Sequence, residues 1–95
     1  MKINFKQKLK KIDGQPLKDQ VGELTLFSMC QNAVLAPEEK QSGEDKVKAY
    51  KIAMKIEEKE VDLTTEEIAY IKEKVRKNIV QPLIVGQVDN LLEGK

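Results

Sequence analysis

KKIDGQPLKD, residues 10–19, decides how this chain begins. Asp13-Gly14 favours a two-residue hairpin loop, because both central positions of a type I′ turn need positive φ. Pro16 follows and resists helix on the far side. The stretch therefore predicts strand, tight turn and strand over residues 2–20. Upstream, Ile3, Phe5 and Leu9 share odd positions, as one face of a strand requires. Phe5, Leu9 and Ile12 also stand at i, i+4 and i+7, which is a helix face. Residues 2–12 admit both readings, and the turn residues favour the strand. A two-stranded hairpin is not stable alone, so it must lie on the rest of the chain or pair with another one.

Downstream the apolar spacing becomes helical. In LTLFSMCQNAVLA, Thr25 is the expected N-cap, and Leu26, Phe27, Cys30, Ala33 and Val34 share a face. Pro37 ends that helix at Ala36. PEEKQSG is a polar loop. Ser42 and Asp45 resemble a capping box for a second helix, with Asp in place of Glu or Gln. Its expected core stripe is Val47, Tyr50 and Met54, with Ala53 beside them. Thr64 and Glu67 form a capping box for a third helix, closed by Leu63 and Ile68 as a hydrophobic staple. Ile68, Ile71, Val75 and Ile79 follow at helical spacing. Pro82 starts a fourth helix, with Gly86 in its middle and Gly94 as its natural stop. The predicted fold class is α+β, mostly α: an N-terminal β-hairpin followed by three to four short helices in one compact domain. Residues 1–20 form the hairpin arm and 24–93 the helical body.

The chain has 95 residues, enough for one domain. Aromatics are only 4%, so the core must be mostly aliphatic. The formal net charge is +1, and the molecule as a whole has no strong field to attract DNA or anionic lipid. Residues 1–20 nonetheless hold six lysines against two aspartates, a local +4 that leaves −3 for the remainder. Cys30 is the only cysteine, so no internal disulfide forms, as suits a reducing cytoplasm. No apolar run reaches the ~18 residues of a membrane span. The first residues carry no apolar segment behind their charges, so they do not read as a signal peptide.

Histidine is absent. That removes the commonest general base, the commonest zinc ligand and any Ser-His or Cys-His dyad. The five glycines are scattered singly, with no phosphate loop. Glu57, Glu58, Glu60 and Asp62 are the densest acidic run. Their spacing lacks the ligand geometry for a divalent cation and reads as a solvated helix end. Cys30 reads as a small core hydrophobe. Tyr50 and Tyr70 fall beside helical stripes and read as core or interface. The expectation is therefore a protein that is not an enzyme and takes no cofactor or metal.

Lys2, Lys6, Lys8, Lys10 and Lys11 form the candidate basic patch. They would meet phosphates as point charges. Arg76 is the lone arginine, and arginine is the preferred base reader, so nucleic acid is the weaker expectation. The same lysines protect an edge strand from aggregation. The candidate protein-contact residues are Ile3 and Phe5 on the strand and Leu83, Ile84, Val88, Leu91 and Leu92 on the last helix, whose helical spacing also turns these five toward the core.

Across nearly its whole length the chain resembles a group of small tailed-phage and prophage proteins. The resemblance is carried by IDGQPL, LTLFSMCQNAVLA, KVKAYKIAMKI, VDLTTEEIAYIKEKV and LIVGQVDNLLE in that order. It implies an Asp-Gly hairpin followed by short helices. It carries over no functional residues. The function expected is a non-catalytic accessory role through protein–protein binding in head or tail assembly, in the cytoplasm of a bacterial host and off the membrane. The partner would be a phage or host protein, and homo-oligomerisation would cover leftover apolar surface. The alternatives are a nucleic-acid-associated regulator using the basic arm, or an inhibitor of a host enzyme.

Overall fold

The structure is a computed structural model that describes residues 1–20 and 22–94. Among these the order is β1 (Lys2–Asn4), α1 (Leu26–Leu35), α2 (Gly43–Ile56), β2 (Glu60–Asp62), α3 (Thr65–Asn78) and α4 (Pro82–Leu92). The protein is α+β and mostly α, with its hairpin at the N-terminal end.

Each helix starts where its cap lies. The Thr25 hydroxyl accepts from the Ser28 amide and the Ser28 hydroxyl accepts from the Thr25 amide, closing a box at α1. Thr64 and Glu67 do the same at α3. At α2 only half the expected box forms. Ser42 accepts from the Asp45 amide, but the Asp45 carboxylate turns away to other partners. Pro82 occupies the first turn of α4. There its missing N–H costs nothing, because that amide would have no partner in the helix.

The hairpin turn is present with a different geometry from the one expected. The Gly14 amide donates to the Lys11 carbonyl, and the Lys11 amide donates to the Gln15 carbonyl. Only Gly14 has positive φ, at 88°, and Asp13 does not. This is the three-residue loop closed by a left-handed glycine, rather than the two-residue type I′ turn. The Asp13 side chain accepts from the Gln15 amide at 3.0 Å, which suits Asp to the position. The two arms meet at a single bridge, Lys10 with Pro16.

Regular strand pairing goes elsewhere. β1 pairs antiparallel with β2, in the register Lys2 with Asp62, Ile3 with Val61 and Asn4 with Glu60. Ile3 and Val61 both turn inward. Beyond β1 the chain turns at Phe5–Lys6 and then runs alongside residues 24–27. The Phe5 and Gln7 carbonyls accept from the Phe27 and Leu26 amides, which satisfies donors of the first turn of α1. Three leucines then close a ring of backbone hydrogen bonds. Leu9 donates to Leu24, Leu24 to Leu17 and Leu17 to Leu9, each at 2.9 Å. Residues 2–12 are therefore not a helix: β1 and the bridged residues are extended, and Phe5–Lys6 and Ile12 lie in turns.

One hydrophobic core joins the arm and the helices. α1 lies at its centre and packs on α2, α3 and α4. Ala33, Ala49 and Ala53 are buried among the larger aliphatics, and such small side chains let α1 and α2 approach closely. The radius of gyration is 12.9 Å, close to the ~12 Å expected of a single packed body of this length.

Candidate functional site

β1 and α4 supply mainly core. Ile3, Phe5, Ile84, Val88 and Leu92 are buried, Phe5, Val88 and Leu92 completely. In the folded chain they are closed to a partner, contrary to their expected role as contact residues. The reason is register. Pairing with β2 turns Ile3 inward, and the helical period of α4 puts Ile84, Val88 and Leu92 on its buried side, where it packs on α3 and α1. Leu83 and Leu91 are half-buried. The edge of residues 5–9, expected to be open to another chain, is occupied by residues 24–27 and 59.

The basic residues are exposed, as expected for Lys2, Lys6, Lys8, Lys10 and Lys11. Lys6, Lys8 and Lys10 line one groove with Gln7, Gln87, Asn90 and Leu91. The fold thus brings part of the basic patch against Leu91 of the last helix, while Lys2 and Lys11 lie outside the groove. Gln87 makes this junction. Its side-chain oxygen accepts from the Lys10 amide at 2.8 Å, and its side-chain nitrogen donates to the Lys10 carbonyl. The amide group thereby pairs with Lys10 as a neighbouring strand would. Lys8 is engaged by Glu23 at 2.7 Å, and that contact holds the Glu23 carboxyl below its usual range.

α2 is turned relative to the expected stripe. Its buried face is Ala49, Ile52, Ala53 and Ile56, whereas Val47, Tyr50 and Met54 are exposed by 53%, 61% and 54%. Of the expected stripe only Ala53 faces inward. Val47, Tyr50 and Met54 succeed one another at i, i+3 and i+7, so they form one line along the outer side of the helix. This apolar row is a surface that sequence reasoning placed in the core.

A buried charge cluster was not anticipated. Lys74 is 5% exposed, and its ammonium contacts Glu38 at 3.0 Å and Asp45 at 2.9 Å. Asn78 and Lys77 also donate to Glu38, and Gln41 and the Tyr70 hydroxyl to Asp45. Hydrogen bonds from Asn78, Lys74 and Lys77 pull the Glu38 carboxyl down to about 2. Those from Lys74, Gln41 and Tyr70 pull Asp45 down to about 2. Burial acts against the Lys74 charge, yet its two carboxylate partners raise its pKa. Burial and the Asp45 contact push the Tyr70 hydroxyl up to about 12. Near neutrality the lysine is charged, both carboxylates are ionised and the phenol keeps its proton. The cluster is thus fixed in one protonation state and ties the α1–α2 loop to α3. The signal was a polar row, Tyr70, Lys74 and Asn78, spaced by four beside the apolar stripe of α3.

Cys30 is completely buried, and burial pushes its thiol up to about 12. It serves as a small core side chain. Among the described residues no three or more His, Cys, Asp or Glu side chains are placed to hold a metal ion. No described helix is long and apolar enough to cross a membrane. Comparison with protein-family models, curated proteins and solved structures gives no match.

Proposed function

We propose that this chain is a non-catalytic accessory protein of a tailed phage or prophage that acts by binding another protein, in head or tail assembly. The observation that carries the protein-binding reading is the outward row Val47, Tyr50 and Met54 on α2. Tyrosine and methionine are enriched at protein interfaces. A helix with a satisfied inner face gains nothing within its own fold from a second apolar row. The phage setting rests on the resemblance of the chain to small phage proteins. The place of action would be the cytoplasm of the bacterial host.

The test is affinity capture with the full chain as bait, from host lysate before and after prophage induction, with a nuclease-treated parallel. The proposal expects a phage structural protein that appears on induction and survives nuclease. Recovery of nothing but a host enzyme, induced or not, would replace it with an inhibitor role. The groove at Lys6, Lys8 and Lys10 favours a second reading, a nucleic-acid-associated regulator. That reading expects a nuclease-sensitive catch whose affinity falls steeply with salt.

A further inference from the structure

The charges that border the α2 row say what kind of surface would cover it. From residue 46 to 56 the sequence KVKAYKIAMKI holds four lysines and no acid. Successive residues step 100° around a helix. Lys46 therefore lies to one side of the Val47–Tyr50–Met54 line, with Lys51 and Lys48 on the other. Lys48 rests over the Tyr70 ring, 4.7 Å from its centroid, and Lys55 is engaged by Glu67 at 2.8 Å. Lys46 and Lys51 are exposed and, among the described residues, form no ion pair. Within the helix acids stand only at the ends, at Glu44 and Asp45 in the first turn and Glu57 at the C-cap, and the Asp45 carboxylate is taken by Lys74 at 2.9 Å. Glu57 already accepts from Gln31 at 3.0 Å.

We propose that this face docks an amphipathic helix of a partner protein whose apolar row is flanked by Asp and Glu. The proposal rests on the protein-binding reading above and adds the partner's chemistry. A row at i, i+3 and i+7 matches the anchor spacing of helix-to-helix recognition. α2 has 14 residues and is about 21 Å long, and the row from Val47 to Met54 runs along about 10 Å of it, two helical turns. Acidic flanks would meet Lys46, Lys48 and Lys51 and set register and partner choice, as flanking charges do in helix pairs. A second copy of this chain is disfavoured, because two such faces bring lysine against lysine. Duplex DNA would satisfy the lysines but leave Val47 and Met54 without an apolar counterpart.

The probes are two labelled amphipathic peptides, each about 18 residues long so that helix can form on docking. They share one leucine row and differ only in carrying Glu or Lys on its flanks. Fluorescence anisotropy with the full chain should show the Glu peptide binding about tenfold tighter or more, with the difference shrinking as salt rises. Tyr50→Glu should abolish binding. Lys46→Glu with Lys51→Glu should reverse the preference. These side chains are exposed, so circular dichroism and thermal melting should confirm that the variants stay folded. Equal affinity for the two peptides, or a preference that survives Tyr50→Glu, overturns the proposal. A dimer in sedimentation equilibrium that Tyr50→Glu dissolves also overturns it, by making the face a self-interface. The two levels fail separately. A captured assembly protein that persists with Tyr50→Glu keeps the protein-binding role and removes this site. Intact peptide selectivity without any phage capture keeps the site and removes the assembly role.

Discussion

Lys74 is the one charged residue among those described that the fold buries. A buried ammonium is stable only when paired and hydrogen-bonded, and Glu38 and Asp45 meet that need. The arrangement makes stability pH-dependent with a definite sign. Glu38 falls from 4.5 to about 2 and Asp45 from 3.8 to about 2 in the folded chain. The unfolded chain therefore binds more protons between those values. The stabilisation is complete above the unfolded values and is lost as pH falls toward about 2. Lys74→Met removes the ammonium and leaves the two carboxylates facing one another. Its melting temperature should lie well below that of the parent near neutrality, and the gap should close as pH falls. Melting curves across the acid range measure this, and a constant gap would count against the cluster. Cys30 makes a second prediction at this scale. A thiol with no exposure and a raised pKa should label with a disulfide reagent only as the protein unfolds. The labelling rate should then track the unfolding transition in denaturant.

At the scale of elements, the hairpin arm depends on two residues outside any strand. Gly14 sits at φ 88° with nothing within 4 Å of an added Cβ. Gly14→Ala thus costs backbone strain alone, about 1 kcal/mol, measurable by urea denaturation. Gln87 pairs with both backbone groups of Lys10. Gln87→Ala should lower stability by about 1 kcal/mol and speed amide exchange at Lys10 more than at β1. The elements were legible in unequal measure. Helix starts could be read because a cap is local chemistry, as Thr25, Ser42, Thr64 and Pro82 show. The face of α2 could not. Val47, Tyr50 and Met54 outweigh Ala49 and Ala53 in any hydrophobic pattern. The close packing of α1 on α2 nevertheless selects the small residues for the inside. The α3–α4 pair is clipped by Arg76 with Asp89 and Lys72 with Glu93, each at 2.6 Å. Such exposed contacts contribute about 0–1 kcal/mol each, so apolar packing holds α4 in place.

For the whole molecule, the arm belongs to the core. Phe5 and Leu9 are completely buried, and β1 pairs with a segment lying beyond α1 and α2 in sequence. Phe5→Ala should cost about 3–5 kcal/mol and bring the chain close to unfolding. Tyr50→Ala, on the outer face of α2, should change stability by no more than about 0.5 kcal/mol. Chemical denaturation of the two variants separates core from surface. The β1–β2 pairing had no local signature, since three residues of each strand carry no pattern and their register is set by distant packing. The candidate surfaces were legible in part. The exposure of the lysine patch followed from its charge, whereas the α2 row emerges only when the core has chosen its residues. The central claim is that this row is where the protein meets its partner. The most direct measurement places a photoreactive benzoylphenylalanine at position 50, and in a parallel chain at position 91, then irradiates each in induced host cells. The account predicts a protein adduct from position 50 and little from position 91. An adduct from position 91 alone would contradict it and move the working surface to the lysine-lined groove.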